Sequence, residues 1–210
     1  MNSVMTRWGL LLWGLLVGLS GCSLLPEARH LPVHHYRLDV PLGEPRWRAD
    51  GPVLRLAPIT GQRYLRGSRI AYLERPHEIG FYTRSRWETA PVEMWQPLLV
   101  QALAAGDMAS AVVDSSSRLV PDIRVETRLA AFEQDVRQGG SRFRVSLQVR
   151  LLDLRRHRLL GERWFTESAP APSRDAAGGV AAANRASARL LARLVDWARP
   201  LVRAVSAGDH

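Results

Sequence analysis

One stretch limits the fold more than any other: Ser141-Arg-Phe-Arg-Val-Ser-Leu-Gln-Val-Arg-Leu151. Positions 143, 145, 147, 149 and 151 are apolar, with Arg, Ser, Gln and Arg between them. Side chains alternate between faces along a strand, so a strict period of two predicts a long strand with one dry and one wet face, not a helix of 3.6-residue period. Ile123, Val125 and Leu129 repeat the alternation, and the run Arg137 to Ser141 supplies a turn between the two. Arg155-Arg-His-Arg158 then turns into a third strand, Leu159 to Thr166, which contains Trp164 and Phe165. Together these segments predict an antiparallel meander.

Upstream, His35 to Val40 and Val53 to Ile59 alternate in the same way. Arg69 to Glu74 and Glu78 to Thr83 flank Arg75-Pro-His77 as a hairpin, and a short strand is predicted at Ala111 to Asp114. Two segments switch to helical spacing. In Pro91 to Ala105, residues Val92, Trp95, Leu98, Leu99, Ala102 and Leu103 share one face, with Thr89 or Ala90 as the cap. Pro97 lacks the N–H its turn needs, which predicts a kink or a later start. After Ala169-Pro-Ala-Pro-Ser173, a second helix is predicted with Ser173 as its cap and an apolar stripe of Leu190, Leu191, Leu194, Trp197, Ala198 and Leu201. Arg185, Arg189 and Arg193 line another of its faces, and Pro200 is expected to stop or bend it. The fold class is therefore α+β: a mostly antiparallel sheet with two amphipathic helices packed on one face.

The N-terminus predicts where such a body resides. A charge-free run from Trp8 to Leu19 follows Arg7 and has the layout of a secretory signal. It is about a dozen residues long, whereas a membrane-spanning helix needs roughly 20. It ends in Leu19-Ser20-Gly21-Cys22, which resembles the lipobox of bacterial lipoproteins, and Cys22 is the one cysteine in the chain. The resemblance implies that signal peptidase II recognises Leu19, Ser20 and Gly21 and that the Cys22 thiol carries a diacylglyceryl group. Two or more acyl chains make anchoring stable, where one is marginal. Ser23, in place of Asp, implies export to the outer membrane, with the inner membrane as the alternative. Pro26 and Pro32 break regular structure in the segment that follows, so it reads as a tether.

Every one of the 29 basic residues other than histidine is Arg, and the net charge is +9. The excess is concentrated: residues 137–163 hold 8 Arg against 2 acids. A basic chain often binds nucleic acid, but an exported lipoprotein rarely meets any and no nucleic-acid-binding motif is present. Anionic lipid or an acidic partner fits better.

Arg69-Ile-Ala-Tyr72, Tyr82, Ser85-Arg-Trp87, Pro91 and Met94-Trp-Gln-Pro-Leu-Leu-Val-Gln-Ala-Leu103 resemble the signature block of the ABC-type transport auxiliary lipoproteins, the PqiC-like family. The domain plan is then a signal peptide over 1–21, a lipidated tether over 22–34 and an auxiliary lipoprotein domain over 35–205. The resemblance implies work beside an MCE-domain protein and an MlaE-type permease and ATPase that move phospholipid between the two membranes, and it is compatible with a homo-oligomer.

Catalytic chemistry finds little support. Six histidines lie without an H-E-x-x-H pattern or a partner cysteine, and no nucleophile elbow, P-loop or dinucleotide-binding motif occurs. The expectation is a non-enzymatic protein with no cofactor, metal or nucleic acid. Its candidate contact residues are Arg155, Arg156, His157 and Arg158 at the turn, with Tyr82 and Trp87. For Tyr72, Phe81, Tyr82 and Trp87, core and rim packing between sheet and helix is the expected role, and a partner or lipid groove is the alternative. The leading expectation is an outer-membrane-anchored adaptor. The alternatives are an outer-membrane assembly or secretion-pilot lipoprotein of the lipopolysaccharide-translocon type, and a lipid-binding shuttle.

Overall fold

A computed structural model describes residues 31–207. In chain order its elements are β1 (His34–Tyr36), β2 (Val53–Leu56), β3 (Thr60–Gly61), β4 (Arg69–Arg75), β5 (Glu78–Trp87), α1 (Pro91–Ala104), β6 (Ala111–Val113), β7 (Ile123–Asp135), β8 (Arg142–Asp153), β9 (Arg158–Pro170) and α2 (Ala176–Ala207). Short 3-10 turns occupy Arg63–Arg66 and Arg137–Gly139.

The alternating run becomes β8, the middle strand of the β7–β8–β9 meander, and the long ladders on both sides of it are antiparallel. The sheet as a whole is mixed. Along the other edge of β7 lie β2, β3 and β4 in succession, all parallel to it, with β6 beyond β2, and β5 then β1 beyond β4. Alternation specifies which face of a strand is dry but not which neighbour it takes. The parallel joins were therefore invisible until the chain was seen returning three times to one edge of β7.

Both helices cover the same face. α2 packs on β8 and β9, α1 packs on β2 and β6, and the helices touch each other. Phe143, Val145, Leu147, Val149 and Leu151 are buried on this side together with Ile123, Val125, Leu129, Phe132 and Phe165. A register shift between Leu129 and Ala131 resets the alternation of β7, so that the strand continues to Asp135 beyond the predicted Leu129 and returns Phe132 and Gln134 to the core.

Local expectations differ in several places: the strand expected over 53–59 ends at Leu56, and the one expected over 78–83 runs on to Trp87. The strand predicted over 35–40 is limited to β1 because the next residues bond to the helical layer: Asp39 N–H donates to Asn184 Oδ1 (2.7 Å) and Arg46 N–H to the Ala104 carbonyl (3.0 Å). The helix cap is Asp175 rather than Ser173. Its Oδ1 accepts from Gly178 N–H at 2.8 Å and from the Ser173 hydroxyl at 2.6 Å. At the prolines the later start and the stop do not occur: α1 begins at Pro91 and contains Pro97, and α2 runs past Pro200 to Ala207. Both rings lie on exposed helix faces, where water can satisfy the carbonyl a proline leaves without a donor.

Candidate interaction surface

Cys22 and the Leu19, Ser20, Gly21 recognition residues lie outside the described residues. Among the described residues no helix is long and apolar enough to cross a membrane, and no group of three or more His, Cys, Asp or Glu is placed to hold a metal ion.

The two aromatic candidates separate. Trp87 is 1% exposed and sits in a ring cluster 5.1 Å from Phe132 and 6.2 Å from Phe143, centroid to centroid. It is a core residue that cannot reach a partner, which corrects its place among the contact candidates. Tyr82 is half-buried against Tyr72 at 5.0 Å. Its hydroxyl donates to the Arg174 carbonyl (2.8 Å) and lies 3.0 Å from Gln134 Oε1. Burial, with Asp175 and Tyr72 nearby, pushes the phenol up to about 12. The side chain fastens β5 to the lead-in of α2.

Arg155, Arg156, His157 and Arg158 form the exposed β8–β9 turn, with His157 in the left-handed region at φ 49°. The turn is anchored from inside. Arg156 N–H donates to Asp153 Oδ1 at 3.0 Å, and the Arg156 and Arg158 guanidinium groups each approach Asp153 Oδ2 to 3.5 Å. Burial raises the Asp153 pKa, but the Arg156 backbone N–H and the two cations outweigh it and hold the carboxyl below its ordinary value. Arg155 reaches Asp122 at 3.7 Å on the neighbouring loop.

That loop, residues 114–122, is the feature that sequence reasoning missed. Asp122 is held on three sides: its Oδ2 accepts from Val53 N–H (2.8 Å), its N–H donates to the Val53 carbonyl (3.0 Å) and its carbonyl accepts from Leu154 N–H (2.8 Å). Arg55 donates to the Ser117 carbonyl at 3.1 Å and also to the Leu119 carbonyl. On this fixed backbone Leu119 is 51% exposed and Val120 is 85% exposed. The available signal was an apolar pair outside any periodic segment, directly before Pro121.

The sheet face opposite the helices is polar. Buried Glu133 accepts from Arg144 and Tyr64, Arg150 pairs with Glu162 at 2.9 Å, and Trp164 is exposed beside them. Arg124, Arg128 and Arg150 border an open hollow of about 350 Å³. The arginine stripe of α2 has a structural role instead: Arg185 donates to the Pro170 carbonyl (2.6 Å), Arg189 to the Ser168 carbonyl (2.8 Å), and Arg193 pairs with Glu167.

Comparisons with known proteins agree with this architecture. The family model described as "ABC-type transport auxiliary lipoprotein component" matches residues 36–195. The crystal structure of protein XCC0632 from Xanthomonas campestris, of the DUF330 family, is 23% identical with a TM-score of 0.73, over 82% of this chain and 99% of that one. A second crystal structure, of an uncharacterised protein, is 16% identical with a TM-score of 0.63, over 79% of this chain and 98% of that one. At these identities the likeness establishes the fold alone. Comparison with curated proteins gives no significant match.

Proposed function

Because the chain belongs to the ABC-type transport auxiliary lipoprotein component family, we propose that it is a non-enzymatic adaptor of an MCE/MlaE-type system that carries phospholipid between the membranes. It is anchored through an acylated Cys22 in the outer membrane and faces the periplasm. The observation that carries this reading is the extent of the family match, which takes in nearly the whole folded body from β1 into α2. The signature block over 69–103 is the β4–β5 hairpin followed by α1, and it supplies Ile70, Trp87, Trp95, Leu99 and Leu103 to the core. That block accounts for the scaffold, while the work falls to what the scaffold displays: the Arg155–Arg158 turn and the polar sheet face, both suited to binding. The partners are the MCE-domain protein and the MlaE-type permease and ATPase, and the body is open to assembling as a homo-oligomer.

Affinity purification of the full chain from detergent-solubilised envelopes tests the partnership. Co-purification of an MCE-domain protein supports it, and recovery of lipopolysaccharide-export components in its place would replace it. Intact-mass analysis of the mature product tests the anchor, which requires a start at Cys22 and added acyl mass.

A further inference from the structure

We propose that the end of the body formed by loop 114–122 and the β8–β9 turn docks on an anionic phospholipid surface, with Leu119 and Val120 entering the headgroup layer and arginines gripping phosphate around them. This goes beyond the adaptor reading and needs no acyl chain.

Three observations converge on this end. The most exposed large aliphatic of the body, Val120, stands beside exposed Leu119, while Leu159 at the start of β9 is 54% exposed. Folded proteins expose single apolar residues freely, but several at one end of a sheet mark a contact surface. Exposed Arg118 precedes the pair in the loop, exposed Arg155, Arg156 and Arg158 lie in the β8–β9 turn, and Arg155 ties that turn to the loop at Asp122. Arg155 pairs with Asp122, which also holds Val53 N–H, Arg156 and Arg158 share the buried Asp153, and Asp114 accepts from Ser116 N–H and hydroxyl, so four arginines stand against three carboxylates, and Asp153 is shut away from the surface. The face offered outward is therefore cationic and aliphatic, the combination that suits the charged headgroups and acyl boundary of a bilayer.

The third observation is rigidity. Arg155 bridges to Asp122, Leu154 N–H bonds to its carbonyl, and Arg55 holds the Ser117 and Leu119 carbonyls, so loop and turn form one unit. The backbone is held in place while the side chains of Leu119 and Val120 are left outside. Holding the backbone leaves only the side chains to be ordered when the surface binds.

The test uses the full chain reconstituted in vesicles, with a polarity-sensitive fluorophore on Val120→Cys and, as control, on Ile79→Cys. Ile79 is exposed and aligned through Leu73 with Asp135, at the far end of β7. In vesicles containing phosphatidylglycerol the label at 120 should shift to the blue and lose intensity to nitroxide-bearing lipid, while the label at 79 should not. In pure phosphatidylcholine neither should respond. In the Val120→Cys-labelled chain, Arg118→Ala should lower the ratio of docked to undocked label about five-fold, the electrostatic share of one arginine at such a surface, and Leu119→Asp, at a side chain 51% exposed, should abolish the shift. A label at 120 that stays in water on anionic vesicles overturns the proposal. So does a shift that follows protein density in phosphatidylcholine, which would report contact between copies of the chain. Labelling of the wild-type chain itself would reveal a free Cys22 thiol and count against the anchor alone, leaving the docking result readable.

Discussion

Gln134 joins four parts of the fold from a fully buried position. Its Nε2 donates to Ser141 Oγ at 2.8 Å and to the Asp175 carbonyl at 3.2 Å, and its Oε1 faces the Tyr82 hydroxyl. Gly179 makes the approach of α2 possible, since a Cβ there would stand 2.0 Å from Gln134 Oε1. Gln134→Leu keeps the volume and removes the bonds, leaving the Asp175 carbonyl short of a donor. We expect a loss of about 1–3 kcal/mol in urea unfolding, and an unchanged midpoint would show the network to be idle. The cap residue beside it predicts a pH effect. The Ser173 hydroxyl and Gly178 N–H hold the Asp175 carboxyl below its ordinary value, so its contribution is complete above about pH 4 and is lost as the pH falls through the folded value. Asp135 and Asp153 shift in the same direction. The melting temperature should therefore hold above about pH 4 and drop as the pH falls below it. Asp175→Asn, which can still cap, should melt with a shallower pH slope, and a slope equal to wild type would remove Asp175 from the account.

Among the described residues β9 pairs only with β8, so its other side is a sheet edge. Exposed strand edges invite pairing with other chains unless they are covered. The α2 arginines cover the distal half, where Arg185 and Arg189 occupy the carbonyls of Pro170 and Ser168. The double variant Arg185→Ala/Arg189→Ala should cost about 1 kcal/mol per lost bond and should also increase self-association in sedimentation velocity. Loss of stability without association would mean the clamp is only a packing device. This stripe also shows how far the sequence could be read. Spacing i, i+4 placed the three arginines on one helix face correctly, but what they meet depends on a strand roughly two dozen residues earlier, and no local pattern encodes that. The strands 141–151 and 159–166 and both helices were legible because burial on one face imposes a period. β7 was legible only to the bulge at Ala130, where the phase changes. Of the candidate site, the Arg155–Arg158 turn was visible as a charge cluster. Its partner loop was not, because an exposed Leu-Val pair looks like core until the fold shows it outside.

The whole molecule, on this account, holds the membrane in two physically different ways. The proposed acyl chains on Cys22 would act through apolar burial, which salt does not screen, whereas the proposed docking end would act through headgroup charge, which salt does. The Debye length falls from about 10 Å at 0.1 M to about 3 Å at 1 M ionic strength, so a salt step separates the two. On phosphatidylglycerol vesicles at low salt, the reconstituted chain should float with the lipid and its label at Val120→Cys should read an apolar environment. Near 1 M salt the chain should still float while the label returns to water, because the anchor persists and the docked end lets go. The acyl chains would then fix residence, and the arginine end would fix which way the body stands on the surface, presenting the polar sheet face at a defined angle to a partner. Release of the whole chain at high salt would mean that no stable acyl anchor exists. A label indifferent to salt would mean that Leu119 and Val120 are held by something other than charge-assisted docking.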